Sequence, residues 1–106
     1  MKFDIVITNQ AEADLQDIYE YIDVQLLAPS GAKRILAVLI KYIESLREFP
    51  MRFKKFEQEP WNSKGLHVMP AHNFLVLYIP DETENKVHIL RVVYGKRDLD
   101  AVLSDI

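Results

Sequence analysis

The feature that most constrains this chain is a pair of segments near the C-terminus in which nearly every residue is apolar. One segment runs from Phe74 to Ile79 and the other from Val87 to Tyr94. Short apolar runs bounded by turn residues are typical of β-strands that other layers cover on both faces. We therefore expect two inner strands of a sheet, with further elements packed above and below them.

Two amphipathic helices are predicted upstream of these strands. Between Ala11 and Leu27, and again between Ala32 and Phe49, apolar residues recur at spacings of three and four. This spacing places the apolar side chains on one face of each helix. The turn residues Pro29-Ser30-Gly31 separate the two segments, so the pattern predicts an antiparallel helical hairpin.

Capping residues mark where these helices begin and end. Thr8 or Asn9 is the predicted N-cap of the first helix, and Ser30 is the predicted N-cap of the second. Both positions hold side chains that accept hydrogen bonds from backbone N–H groups in a first helical turn. Pro50 is expected to end the second helix because proline cannot continue one. Asp98 is the predicted N-cap of a short C-terminal helix that contains Leu99.

The remaining segments complete an α+β order of β-α-α-β-β-β followed by a short C-terminal helix. Strands are predicted at residues 2–7 and Leu66–Pro70, and residues 50–64 are predicted to be irregular, with a short strand near Phe53. The simplest packing places the helical hairpin on one face of a small, mainly antiparallel sheet. The first strand lies at the edge of that sheet, and the opposite face is partly open.

Composition limits the chemistry that this chain can perform. Its 106 residues are 49% hydrophobic and 27% charged, which predicts one folded domain over residues 1–106. There is no cysteine, so disulfides and cysteine-based zinc sites are excluded. The start of the chain has a strand pattern and not an apolar leader, and no segment is long enough to cross a bilayer. We therefore expect a cytoplasmic protein that makes no membrane contact.

The charge distribution does not indicate a protein that binds nucleic acid through phosphate contacts alone. The net charge is −3, and the first 30 residues hold one of the 13 Lys and Arg residues and six of the 16 acids. The rest of the chain therefore holds 13 − 1 = 12 cations and 16 − 6 = 10 acids. Proteins that depend on non-specific phosphate contacts are usually basic overall.

Two further groups of residues have both a functional and a structural interpretation. The histidines His67, His72 and His88 match no metal-ligand spacing, so no metal and no other cofactor is expected. The cations of residues 52–55, with Phe53, Phe56 and Trp61 among and after them, resemble a nucleic-acid surface, because cations hold phosphates while aromatic rings stack on bases. The alternative is that these rings fill the space between hairpin and sheet.

The last predicted strand carries cations. Arg91 lies inside it, where a charge is costly unless it is paired, and Lys96 and Arg97 follow its end at Tyr94. Such a cationic rim suits an anionic or peptide partner. The alternatives are that Arg91 pairs with an acid of the first helix and that Arg97 pairs with Asp98 or Asp100 at a solvated strand end.

Five segments resemble the RelE/ParE toxin superfamily of bacterial toxin–antitoxin modules. The matches are Ala11–Ile22 to "A..DL..I..YI", Ile43–Pro50 to "I..L...P", Gly65–Val68 with Phe74–Tyr78 to "GLR…Y.I.Y", and Val87–Asp98 to "V.I.RV.H.RRD". Each match is short, but their order and spacing are typical of the superfamily. The resemblance implies the β-α-α-β-β-β fold and a cognate antitoxin whose extended, partly helical tail wraps the toxin.

The superfamily includes two activities, and this chain resembles one of them more closely. RelE-type members are ribosome-dependent ribonucleases that use Lys, Arg and a C-terminal Tyr, whereas ParE-type members inhibit DNA gyrase. Here Leu75 replaces the RelE strand arginine, Leu103 replaces the terminal tyrosine, and His67 lies in the strand that supplies the RelE lysines. Of the residues that RelE-type members use, this chain clearly keeps only Arg97. The resemblance therefore implies a ParE-like gyrase inhibitor of a plasmid-stabilisation module and not an enzyme.

The resemblance also implies which residues make contacts. The residues expected to bind the target or the antitoxin are Arg91, Tyr94, Lys96 and Arg97. One alternative is a RelE-type nuclease that acts on ribosome-bound mRNA; its catalytic residues would be Arg97, Lys54, Lys55 and His67. Another alternative is a non-toxic member that only binds antitoxin.

Overall fold

The computed structural model describes residues 2–106, which form a five-stranded sheet with helices on both faces. The strands are β1 (Asp4–Ile7), β2 (Lys54–Lys55), β3 (His67–Ala71), β4 (Phe74–Asp81) and β5 (Lys86–Tyr94). Their order is β1-β5-β4-β3-β2; β1 runs parallel to β5, and the other pairs are antiparallel. The predicted α+β fold, with a mainly antiparallel sheet and the first strand at its edge, is confirmed.

The helices agree with the predicted hairpin but differ at their ends. They are α1 (Asn9–Glu20), α2 (Pro29–Ser45), α3 (Trp61–Lys64) and α4 (Leu99–Leu103). A π-helical turn, Tyr21–Gln25, extends α1, and a 3₁₀ turn, Pro50–Arg52, follows α2. The connection predicted to be irregular therefore contains that turn, β2 and α3, and its short strand lies one residue beyond Phe53.

The caps explain where the helices begin. Thr8 is the N-cap of α1, because its hydroxyl oxygen accepts a hydrogen bond from the backbone N–H of Ala11 at 3.2 Å. Asp98 caps α4 in the same way, as predicted. The prediction for Ser30 is wrong: the N-cap of α2 is Ala28, two residues earlier, so the helix begins at Pro29 and has no side-chain cap. Proline suits a first helical position because its fixed φ is already helical and no N–H is left unpaired.

The core lies on both faces of the sheet. The helical hairpin covers one face, where Leu39 and Ile43 of α2 pack against Tyr78 and other residues of β3, β4 and β5. On the opposite face, Val102 and Leu103 of α4 pack against Leu66, Leu77 and Val93, together with the aromatic rings of Phe56 and Trp61. Leu75, Ile79 and Leu90 remain only partly buried there. The two inner strands are thus covered on both faces, as the sequence predicts, and the second face is partly open.

No helix within residues 2–106 is both long enough and apolar enough to span a membrane.

Leu39 provides a test of this packing. Its side chain is fully buried, whereas the next residue, Ile40, is 37% exposed. We expect Leu39→Ala to lower the free energy of unfolding by about 3 kcal/mol, because it removes buried methyl groups and leaves a cavity. Ile40→Ala is the matched control and should cost less than about 1 kcal/mol. Urea denaturation followed by circular dichroism measures both, and equal losses would contradict the assignment of α2's inner face.

Candidate functional site

An open groove lies between α1 and the C-terminal end of β5. The last residue of β1, Ile7, pairs with Ile89, so β5 continues to Tyr94 with no strand beside it on that edge. The groove has a volume of about 610 Å³. The apolar residues that line it include Ile18, Tyr21, Ile22, Leu26, Phe74 and Tyr94. It is thus an apolar channel beside an uncovered strand edge.

An ion pair between Arg91 and Asp14 covers part of the free edge of β5. The guanidinium of Arg91 donates two hydrogen bonds to the carboxylate of Asp14, with N–O distances of 2.7 and 2.9 Å. The same carboxylate accepts the backbone N–H of Val92 at 2.9 Å. The two charged side chains are only 11% and 13% exposed, and the hydrogen bonds from Arg91 to Asp14 raise the pKa of Arg91 above its ordinary value. The predicted internal pair between Arg91 and an acid of the first helix is confirmed.

A β-bulge accompanies Arg91. Leu77 pairs with Arg91 while Tyr78 pairs with Ile89, so Leu90 is an extra residue in β5. A bulge of this kind bends a strand and changes the direction of the neighbouring side chains. Leu90 packs into the cluster under α4, whereas the guanidinium of Arg91 reaches α1. The bulge therefore accounts for a charged side chain that leaves an otherwise apolar strand.

Tyr94 and Arg97 line the end of the groove, and Lys96 lies between them in the exposed turn that forms its cationic rim. Tyr94 is 48% exposed and Arg97 lines the groove beside it. The turn is held by the N–H of Arg97, which donates to the carbonyl of Tyr94 at 2.9 Å. Within the described residues neither Lys96 nor Arg97 forms an ion pair. The alternative pairing of Arg97 with Asp98 or Asp100 is therefore not formed.

The other candidate catalytic residues lie elsewhere on the sheet. Tyr94, three residues before Arg97, pairs with Phe74, and Phe74 pairs with Ala71. His67 lies four residues along β3 from Ala71, and Lys55 pairs with His67 on β2. With strands about 4.8 Å apart and a rise of about 3.3 Å per residue, Lys55 lies roughly 19 Å from Tyr94 between Cα atoms. Arg97 therefore shares its rim with neither Lys54, Lys55 nor His67.

His67 has an internal role instead. It is 8% exposed, and its Nδ1 lies 2.8 Å from the carbonyl oxygen of Gly65. Its ring packs against Tyr78, with ring centres 5.5 Å apart. Burial raises the pKa of Tyr78 far above its usual value, so this phenol stays protonated near neutral pH. Neither ring is placed to act on an external substrate.

The aromatic residues of the connection fill gaps in the core. Phe53 packs against the hairpin-side core, while Phe56 and Trp61 pack into the cluster under α4. Lys54 pairs with Glu57 at 3.0 Å, and the ammonium group of Lys64 lies over the ring of Trp61. This packing agrees with the structural interpretation of these rings. Across residues 2–106, moreover, no cluster of three or more His, Asp or Glu side chains is arranged to hold a metal ion.

Sequence reasoning missed the groove and the hydrogen bond that Asp14 accepts from the backbone N–H of Val92. The signal for the groove is the length of the last predicted strand, which exceeds that of the first and so leaves part of its edge uncovered. No pattern in the sequence signals that Asp14 accepts the N–H of Val92, because that contact joins residues 78 positions apart.

Comparison with models of protein families gives one match. The sequence model described as "ParE toxin of type II toxin-antitoxin system, parDE" matches residues 5–99. No curated protein sequence matches this chain.

Similar solved structures include three toxin–antitoxin complexes. The chromosomal ParDE system from Pseudomonas aeruginosa has a TM-score of 0.71 at 17% identity, and the similarity covers 90% of this chain and 98% of that chain. The RelBE2 complex from Mycobacterium tuberculosis has a TM-score of 0.67 at 24% identity, with 89% and 99% covered. The archaeal RelE–RelB complex from Pyrococcus horikoshii has a TM-score of 0.60 at 17% identity, with 92% and 100% covered. At these identities the similarity supports the fold alone.

The Asp14–Arg91 pair can be tested by a double-mutant cycle. We expect Asp14→Asn to lower the free energy of unfolding by about 2 kcal/mol, because Arg91 then lacks its buried counter-charge. Arg91→Met in the Asp14→Asn background should cost less than it does in the wild type, with a coupling energy of about 2 kcal/mol. Asp17→Asn, one turn away and exposed, is the control and should change stability by less than about 0.5 kcal/mol. Additive effects of the two substitutions would contradict the pair.

Proposed function

This chain belongs to the ParE toxin family of type II toxin–antitoxin systems, and we propose that it acts by binding and inhibiting DNA gyrase. We further propose that a cognate antitoxin holds it inactive. The observation that carries the first proposal is that Arg97 lies apart from Lys54, Lys55 and His67, the other candidate catalytic residues of a nuclease.

Cleavage of RNA by such a nuclease requires a base, an acid and phosphate-binding cations around a single phosphate. A catalytic acid or base must come within about 3 Å of the atom whose proton it transfers. Lys55 lies roughly 19 Å from the rim on which Arg97 is placed, and His67 is buried against Tyr78. This arrangement supports a toxin that works by binding a protein over one that performs chemistry on mRNA at the ribosome.

The groove supports an antitoxin partner. It is apolar, about 610 Å³ in volume, and it runs beside a strand edge that β1 leaves uncovered. Such a surface suits an extended or helical segment of another protein, which buries apolar side chains in the channel. The three solved complexes are named as toxins with antitoxins, which agrees with a partner of this kind.

We propose that Tyr94, Lys96 and Arg97 contact the antitoxin at the end of this groove. Their side chains are exposed, and Arg97 has no internal counter-ion among the described residues, so it is available to a carboxylate of the partner. Arg91 contributes differently, because its guanidinium is already bound to Asp14. Its role is to hold α1 against β5 and so to keep the groove open.

Expression of the chain alone tests the target. We expect cells to form filaments and to induce the DNA-damage response, because inhibited gyrase leaves damaged DNA. The purified protein should inhibit DNA supercoiling by gyrase, and the double variant Lys54→Ala/Lys55→Ala should inhibit equally well. Primer extension on translated messages should show no codon-linked cleavage. Arrested translation with intact DNA would instead favour the RelE-type nuclease, and harmless expression would favour a member that only binds antitoxin.

Replacement of Arg97 tests the antitoxin site. We expect Arg97→Ala to weaken the affinity for the cognate antitoxin about tenfold, because a charged anchor at the end of an apolar groove contributes about 1.4 kcal/mol. Lys64→Ala is a matched control, since that lysine lies over Trp61 in the α3 segment and away from the groove. Isothermal titration calorimetry measures both affinities. Equal binding by the two variants would place the antitoxin elsewhere.

A further inference from the structure

Phe49 combines an unfavourable backbone with an unusually exposed aromatic side chain. Its φ and ψ are 52° and 56°, in the left-handed region, and its side chain is 78% exposed. Residues with a Cβ atom adopt this region at a cost in free energy. The following residue is Pro50, which further disfavours helical backbone at the position before it. An aromatic ring that remains in solvent provides little burial to offset this cost.

The surrounding structure holds Phe49 in this conformation. The guanidinium of Arg52 donates hydrogen bonds to the carbonyl oxygens of Ser45, Glu48 and Phe49, at distances between 2.7 and 3.2 Å. It also donates to the hydroxyl of Ser45 at 2.9 Å. The hydroxyl of Tyr78 donates to the carbonyl of Pro50 at 2.5 Å. The exposed ring is therefore carried by a turn that one buried hydrogen bond, from Tyr78, and four exposed ones, from Arg52, hold in place.

Other exposed apolar residues adjoin this turn. Met51 is 42% exposed and Tyr42 is 40% exposed. Beside them a shallow groove of about 370 Å³ lies between α2 and Phe53. Its lining includes two cations, Lys41 and Arg52, and no carboxylate. The charge of this lining is complementary to a partner surface on which an apolar ridge is flanked by acidic side chains.

We propose that Phe49, Met51 and Tyr42 form the surface on which the toxin docks to its protein target, with Phe49 as the aromatic anchor. This inference rests on the proposed function, because it assumes that the toxin acts by binding a protein. The partner is a folded protein with an acidic, apolar patch. Strained backbone is typical of functional sites, and aromatic side chains that fill pockets of a partner are typical interface anchors.

The geometry favours the target over the antitoxin at this surface. An anchor on a fixed turn suits a folded partner that does not adapt, since little backbone freedom remains to be lost on binding. The open groove beside β5 suits a flexible segment instead. Ile35 of α2 lines that groove, and Tyr42 lies seven residues later, about 10 Å along the helix axis. An antitoxin in the groove would then lie close enough to Tyr42 to obstruct a folded target there without occupying the same residues.

The substitution Phe49→Gly separates function from folding. Glycine removes the Cβ atom that disfavours the left-handed region, so the variant should unfold at a temperature about 4 °C higher than the wild type. Its inhibition of purified DNA gyrase should weaken at least tenfold, and its affinity for the cognate antitoxin should change less than twofold. Leu27→Gly is the matched control, because Leu27 also has a positive φ, 50°, and is 84% exposed. It should be stabilised similarly and should inhibit gyrase as the wild type does.

Each other outcome has a distinct meaning. A Phe49→Gly protein that is less stable than the wild type shows that Phe49 is kept for folding, which overturns the inference. Full inhibition by Phe49→Gly, or weakened binding of antitoxin with full inhibition, also overturns it. A wild-type protein that leaves supercoiling unchanged overturns the proposed function itself, and the thermal unfolding comparison still tests the role of Phe49 in that case.

Discussion

The carboxylate of Asp14 joins the helical hairpin to the sheet at the point where the first strand ends. It accepts two hydrogen bonds from the guanidinium of Arg91 and one from the N–H of Val92, at distances of 2.7 to 2.9 Å. A buried ion pair stabilises a fold only when its remaining hydrogen-bonding groups are also satisfied. Within residues 2–106, no buried side-chain nitrogen or oxygen lacks a partner. The pair therefore fixes α1 across β5 without leaving an unpaired charge in the core.

The position of the groove depends on this contact and on Thr8. The hydroxyl of Thr8 donates to the carbonyl oxygens of Ile89 and Leu90, at 2.8 and 3.1 Å, and so continues the edge interactions of β1 for one residue. The carboxylate of Asp14 then accepts a hydrogen bond from the N–H of Val92. Beyond Val92 the structure supplies no strand to this edge, and α1 stands away from it over an apolar channel. The short length of β1, together with the direction of α1, thus determines where the groove lies.

The fold could be predicted from the sequence further than the site could. Apolar periodicity located α1, α2, β4 and β5 because burial imposes the same spacing wherever these elements pack. The start of α2 does not follow from the sequence, because Ser30 suits an N-cap and Pro29 suits a first helical position, and only the backbone decides between them. The sequence makes His67 a candidate base because histidine can act as a base in many sites. Its burial against Tyr78 depends on the register between β3 and β4, which a single sequence does not specify.

The groove beside β5 and the surface around Phe49 differ in which side, the toxin or the proposed partner, is ordered before binding. The channel beside β5 is formed by elements that already pack together, so the ordering must come from the partner. An antitoxin segment that is disordered when free would lose conformational freedom on binding there, and this loss would lower its affinity. At Phe49 the toxin itself carries the unfavourable conformation before any partner arrives, because Arg52 and Tyr78 hold the turn. The proposed docking at Phe49 requires a target that already has its own structure. A turn whose backbone is fixed before binding meets that requirement, whereas an open channel does not.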